Sequence, residues 1–358
     1  MDHGARLQPS NLLRCQCLYI NSPHELSVED VAIGELDAHD VLVQVGFGGI
    51  CGSDLHYFHE GGFGTVRIKR PMILGHEVAG TIAAVGSAVT RLKVGDAVAV
   101  NPSLPCARCA YCLEGLPTHC LDMRFFGSAM RDPHVDGAFR SLLRCEAKRC
   151  EIVAPHVKLE HAALAEPFSV VLHAVRRVGS LLGKRVLVTG CGPIGNLSIA
   201  AAKIHGAADV VAVDLTDYTL SIAKAMGANR TINGRTDPQW TSEFSANKGT
   251  FDVLIECSGN ERAFRTGLEV VRPRATIVQL GLGGDINIPQ NTIVAKELTV
   301  LGSFRFHEEF ALAVQLINDG RIDMTPMVSR KYSLKEARAA FELASDRERA
   351  MKVLLHFA

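Results

Sequence analysis

Neither sign of charge is in excess: 38 Lys and Arg stand against 38 Asp and Glu. No global field would hold nucleic acid or an anionic membrane surface, so neither is expected as a partner. Long apolar runs are missing too. The longest uncharged stretch, residues 186–202, has 17 residues and is broken by Gly190, Gly192, Pro193 and Gly195, too short and too glycine-rich for a spanning helix. Residues 1–11 are polar, with Asp2 and Arg6, and carry no charged-then-apolar signal pattern. The expectation is a cytoplasmic protein. Tryptophan occurs once, at Trp240 in a polar stretch, where a half-buried surface ring is expected. Internal repeats and low-complexity segments are absent.

Cysteine is what the chain has in abundance: 11 thiols, an odd number, with four of them between Cys106 and Cys120. Metal explains that better than disulfides in a reducing compartment. A length of 358 residues suits about two domains. Up to about residue 155, short alternating stretches punctuated by glycine (41–45, 78–85, 94–100) read as a β-rich barrel or sandwich. From Lys184 the texture changes. Apolar runs at 185–189, 209–213, 251–256 and 275–280 read as strands buried on both faces, hence a parallel sheet covered by helices at 194–205 and 216–226. A short strand at 298–302 precedes a tail with two helical patterns and a last apolar run, Val353 to Leu355. Periodicity leaves open whether that tail joins the sheet or returns to the first half.

Gly190-Cys191-Gly192-Pro193-Ile194-Gly195 joins a strand to a helix, and Asp214 ends the next strand 19 residues after Gly195. That context gives a dinucleotide fingerprint its meaning. Gly190 permits the tight turn, Gly192 lets the backbone approach a pyrophosphate, and Gly195 lets helix and strand pack, while the helix N-terminus offers N–H groups to the anion. Asp214 would accept hydrogen bonds from the adenosine ribose and repel a 2′-phosphate, and residues 215–219 supply no arginine. NAD is therefore expected over NADP.

Cys106, Cys109, Cys112 and Cys120 offer four thiolates within one loop, the set that a closed structural zinc takes. The alternatives are an iron-sulfur cluster, a redox thiol pair or a nucleic-acid zinc ribbon, the last opposed by the scarcity of basic and aromatic residues there. Cys51, His76, Glu77 and Glu166 stand beside glycine or proline in loops. Taken singly, each has an ordinary explanation as a core or surface group, and sequence spacing alone does not make them converge.

Together, Gly49-Ile50-Cys51-Gly52-Ser53-Asp54-Leu55-His56, Gly75-His76-Glu77, the four-cysteine loop, Glu166-Pro167 and the glycine fingerprint resemble the zinc-dependent medium-chain alcohol and polyol dehydrogenases, from about Cys15 to Phe357. Residues 105–106, 122–130, 133–137 and 302–306 resemble most the branch that oxidises L-idonate, with sorbitol dehydrogenases next nearest. The resemblance implies an α/β protein: a GroES-like β-barrel catalytic domain over 1–165 and 307–358, and a Rossmann doubly wound parallel-sheet coenzyme domain over 166–306. It implies a catalytic zinc on Cys51 and His76 with Glu77 or Glu166 as third protein ligand, and a structural zinc on the four-cysteine loop. A homo-oligomer, dimer or tetramer, is implied as well.

In this family Ser53 would take the alcohol proton and His56 would pass it toward solvent. Tyr57 and Glu166 match polar pocket groups, and Ile194, Leu280, Gly281, Leu282, Phe304, Arg305 and Phe306 match segments that touch cofactor. Thr219 stands where many NAD-dependent relatives carry arginine, and Phe306 where sorbitol dehydrogenases tend to carry tyrosine. A sugar-acid carboxylate needs a cation, for which Arg305 and Arg124 are candidates and His59 a third. A neutral polyol is the alternative substrate. A cofactor-binding member that has lost the catalytic zinc is the distant alternative, opposed by the presence of Cys51, Ser53, His56, His76 and Glu166. With five thiols assigned to zinc and Cys191 in the cofactor turn, Cys15, Cys17, Cys145, Cys150 and Cys257 remain as expected fillers.

Overall fold

The computed structural model describes residues 13–357; the reading of residues 1–11 lies outside them. Two sheets organise the chain. In the first, seven-stranded, the strand Asp40–Gly49 is central. It pairs antiparallel with Glu77–Val85 on one side. On the other it pairs with Leu142–Glu146 along its first half and with Lys352–His356 along its last residues. Register shifts between Leu42 and Val43 and between Val45 and Phe47 bend this strand, as irregularities in a ladder do, so that its two ends serve different neighbours. Ala97–Val100 and Cys150–Ile152 extend one edge, and Val328–Ser333 extends the other. Two strands of the C-terminal tail, Val328–Ser333 and Lys352–His356, thus join the first sheet.

The second sheet has six parallel strands in the order Arg230–Asn233, Asp209–Asp214, Arg185–Thr189, Phe251–Glu256, Val271–Gln279, Thr299–Gly302. Its central strands are buried on both faces, in accord with their uninterrupted apolar runs. Arg185–Thr189 and Phe251–Glu256 are neighbours but not consecutive, so strand order reverses between them. Ligands of such sheets bind beyond the carboxyl ends of the strands at that reversal, which is where Gly190 and Ser258 lie. The helices Pro193–Ile204 and Asp217–Ala225 fall within two residues of their expected limits. Two further helices, Ala165–Val178 and Glu309–Asn318, pack against each other at the entry to and exit from this sheet.

One expectation is corrected. Trp240 is buried, edge-on to Phe244 and part of the apolar layer beneath Leu187, Val211 and Leu254. Its polar sequence neighbours hid this, because the short helix that follows it, Thr241–Phe244, lays the ring onto the sheet. All eleven cysteines are free. Cys15, Cys17, Cys145 and Cys150 are buried fillers, while Cys257 is half-buried beside Ser198 Oγ at 3.6 Å. Among the described residues no helix is long and apolar enough to cross a membrane.

Candidate active site

Cys51 caps the helix Gly52–Glu60, and Asp54, three residues on, accepts its backbone N–H at 3.0 Å. The other oxygen of Asp54 accepts the N–H of Gly75 at 3.2 Å and lies 3.9 Å from Nδ1 of His76. One buried carboxylate thereby ties the Cys51 loop to the Gly75–Glu77 loop and faces the imidazole, as outer carboxylates do behind metal-ligating histidines. The result is convergence: ligand atoms of Cys51, His76 and Glu77 lie within 4.8 Å of one another. Glu77 is fully buried, with Oε1 2.6 Å from Nζ of Lys352, which also donates to the carbonyl of Ile50 at 3.0 Å.

The residues fit a zinc ion. Glu77 Oε2 is a buried polar atom without a hydrogen-bond partner among the described residues, an arrangement that costs free energy unless something else satisfies it. Thiolate, imidazole and carboxylate form a donor set characteristic of a catalytic zinc. Burial, then Glu77, pushes the Cys51 thiol up to about 11. Burial also pushes Glu166 up to about 8, only partly opposed by His76. Left to themselves these groups hold their protons; a coordinated divalent cation displaces them.

Glu166, in the first turn of Ala165–Val178, stands outside the 4.8 Å group yet feels the charges of His76, Glu77 and Cys51. Ser53 lies in the first turn of Gly52–Glu60, its backbone N–H directed at the Cys51 sulfur. His56 is about half exposed, 3.7 Å from Glu60. Tyr57 is buried, and its hydroxyl accepts the N–H of Ala129 at 3.0 Å.

The structure separates the three candidate cations. Arg305 adopts φ +54°, unusual for a residue with a Cβ. This aims its guanidinium over Phe125 at 4.3 Å and Phe304 at 5.0 Å, with Nη2 3.1 Å from Met130 Sδ. Burial lowers its pKa, opposed by Glu166 and Tyr57, and no carboxylate among the described residues forms an ion pair with it. Arg124 is exposed on a short ladder with Leu104. His59 is exposed and engages Ser345 Oγ at 2.7 Å and the ring of His24.

The four-cysteine loop also assembles, with its four sulfurs within 4.8 Å of one another. Backbone N–H groups point at them: Cys106 to Cys120 at 3.1 Å, Asp122 to Cys120 at 3.3 Å and Leu121 to Cys109 at 3.4 Å. The last of these leads in drawing Cys109 down to about 6. Donors of this kind favour thiolates, the form that binds metal.

At the dinucleotide turn Gly190 takes φ +81°, and a Cβ there would meet Ser258 N at 2.7 Å; one on Gly195 would meet the Gly190 carbonyl at 1.8 Å. Asp214 accepts backbone N–H groups from Cys191 at 2.5 Å, Leu215 at 2.7 Å and Thr216 at 3.1 Å, which fixes its carboxylate at the strand end. A Cβ on Gly281 would approach Gly259 N to 2.1 Å, so the loops after the fourth and fifth strands of the sheet lie backbone against backbone. Glu256 locks them, accepting from Ser258 N at 2.8 Å, Gly259 N at 2.9 Å and Gln279 Nε2 at 2.6 Å. Such a glycine-lined cradle suits a dinucleotide. Gly192 caps the helix that Pro193 and Ile194 begin. Leu280 and Gly281 are half-buried and Leu282 and Phe304 exposed, whereas the Phe306 ring is buried on Phe310 at 5.9 Å, leaving its backbone rather than its ring for a ligand. Sequence reasoning missed Asp54, Glu256 and Lys352. Asp54 had a signal, its place three residues after a helix-capping residue, and Lys352 had another, a lone cation abutting an apolar run.

Residues 37–155 match the alcohol dehydrogenase GroES-like domain and residues 193–319 match the zinc-binding dehydrogenase domain. The chain is 44% identical over 317 residues to L-idonate 5-dehydrogenase (NAD(P)(+)) of Escherichia coli strain K12, covering 88% of this chain and 91% of that one. It is 38% identical over 326 residues to D-xylulose reductase A of Aspergillus oryzae, covering 89% and 90%. The crystal structure of L-idonate 5-dehydrogenase from Escherichia coli superposes with a TM-score of 0.92 at 40% identity, covering 96% of this chain and 98% of that one. These likenesses span both sheets and both metal-competent clusters, and the chain belongs to the zinc-binding medium-chain dehydrogenases, NAD(P)-dependent alcohol oxidoreductases built from a GroES-like and a Rossmann domain.

Proposed function

We propose that this chain oxidises the C5 alcohol of L-idonate to 5-keto-D-gluconate, reversibly, with NAD as acceptor. The observation that carries the substrate is Arg305, a cation without an ion pair among the described residues, held over Phe125, whose ring lies 5.5 Å from that of His76 in the Cys51, His76 and Glu77 group. The E. coli relative named for the same sugar acid supports it. Bound zinc would supply an electrophile that acidifies the alcohol, and the nicotinamide an acceptor for the carbinol hydride.

Cys51, His76 and Glu77 hold the metal in this reading, with Glu166 toward the substrate side and the four cysteines holding a structural zinc. Asp54 orients His76, and Lys352 balances the charge of Glu77. Ser53 accepts the alcohol proton and His56, half in water, hands it on. Arg305 grips the carboxylate through its fork of N–H donors. The catalytic domain comprises 1–165 and 307–358, and the coenzyme domain 166–306. The working form is a cytoplasmic homo-oligomer, dimer or tetramer, which light scattering tests.

An NAD-linked panel of idonate, gluconate, sorbitol, xylitol and ethanol tests the substrate. Turnover of sorbitol and xylitol alone would make the enzyme a polyol dehydrogenase. Arg305→Ala is expected to lower kcat/KM for idonate about 10- to 100-fold, the worth of a charge-assisted hydrogen bond, and to leave any activity on sorbitol much less affected. Equal losses on both would remove the carboxylate role.

A further inference from the structure

The segment that follows the helix Ala337–Ala344 crosses the whole site. Ser345 touches His59 of the Cys51 helix at 2.7 Å. Glu348 reaches Arg235, just past the strand Arg230–Asn233, at 3.8 Å. Met351 Sδ lies 3.7 Å from Asn196 Nδ2, in the first turn of the dinucleotide helix. Between these contacts stands Arg347, exposed, with its Nη1 only 2.8 Å from where a Cβ on Gly192 would be. Neighbouring charges are engaged elsewhere: Glu348 with Arg235, and Asp346 with Arg349 and the N–H of Glu348. Arg347 itself forms no ion pair among the described residues. A guanidinium is thus poised over the glycine whose missing side chain lets an anion approach the helix N-terminus.

We propose that Arg347 is a second contact for the cofactor's pyrophosphate, so that the dinucleotide is gripped between the glycine turn and the segment 345–351. The inference rests on the reading above that this turn binds NAD. Arginine matches phosphate oxygens with paired donors, and here it adds a side-chain positive charge opposite the N–H groups of the helix. Because the contact is to the pyrophosphate, it serves NAD and NADP alike.

Calorimetric titration of zinc-loaded wild-type, Arg347→Gln and Arg347→Lys protein with NADH, NADPH, ADP-ribose and adenosine tests it. Arg347→Gln is expected to weaken NADH, NADPH and ADP-ribose by a common factor of about 10, with adenosine unchanged and a shallower dependence on salt. Arg347→Lys is expected to recover part of the loss. Steady-state measurements should show KM for NAD rising more than kcat falls. ADP-ribose binding that Arg347→Gln leaves intact, or a loss confined to NADPH, overturns the assignment while the dinucleotide reading stands. Failure of the wild-type protein to bind NADH overturns both.

Discussion

A lysine ammonium 2.6 Å from a glutamate carboxylate, with both side chains almost wholly out of water, is costly to break and nearly neutral to remove as a unit. Each charge is desolvated, and only the partner and a few hydrogen bonds compensate. Lys352→Met in metal-free protein should therefore cost about 3–5 kcal/mol by leaving Glu77 uncompensated, and adding Glu77→Gln should recover most of that. Urea unfolding of the single and double variants measures it, and a neutral Lys352→Met would mean that Glu77 does not depend on Lys352 for compensation. The pair also marks what sequence could and could not disclose. Cys51, His76 and Glu77 stand in compact motifs that carry the family resemblance, and it is the resemblance, not their spacing, that implies them as ligands. Lys352 lies 275 positions from Glu77, and an electrostatic pairing over that span leaves no period or spacing behind it. Glu256 is similar: its role is to accept N–H groups from two loops, a property of where the backbone goes rather than of any neighbouring residue type.

Elements were readable where burial imposes a period. The central strands of the parallel sheet are apolar throughout because helices cover both faces, and the glycine turn was placed from its strand and helix. Arg230–Asn233 escaped notice because it is an edge strand of four residues with only Ile232 buried, too short to show alternation. The four-cysteine loop is the opposite case, invisible to periodicity and plain from spacing. It has little else to hold it: Tyr111, Leu113, Leu116 and Leu121 are exposed, and its apolar contacts are Met123, Phe125 and the cysteines themselves. Metal binding should then be a large part of what keeps this loop folded. Cys106→Ser is expected to reduce bound zinc from about two ions per chain to about one and to open the loop to proteolysis between Cys106 and Cys120, with elemental analysis and peptide mapping as readouts. A variant that still holds both ions would show that three thiolates suffice.

The two sheets meet at the helices Ala165–Val178 and Glu309–Asn318, and one carboxylate fastens these helices together. Glu309 is buried. It contacts Arg176 Nη1 at 3.0 Å and His173 Nδ1 at 3.3 Å, and accepts the N–H of His307 at 2.9 Å, while Glu308 shares Arg176 at 2.6 Å. Burial alone would raise its pKa, but the His173 hydrogen bond and the backbone N–H groups prevail and bring it from 4.5 down to about 2. A carboxylate whose pKa is lower folded than unfolded binds fewer protons in the native state. It contributes stability in full above the unfolded value, and that contribution drains away as pH falls from about 4.5 toward about 2. Replacing it with an amide removes the charge but keeps the shape. Glu309→Gln should thus be less stable than wild type near neutrality by up to about 3 kcal/mol, and the gap should close on acidification through that window. Urea unfolding at about pH 7 and about pH 3.5 reads the gap directly, and a gap that stayed constant with pH would mean that packing rather than charge joins the two helices. Because these helices carry the chain into and out of the coenzyme sheet, the loosened variant should also show faster amide exchange across their shared face near neutral pH, while the interiors of both sheets keep their protection.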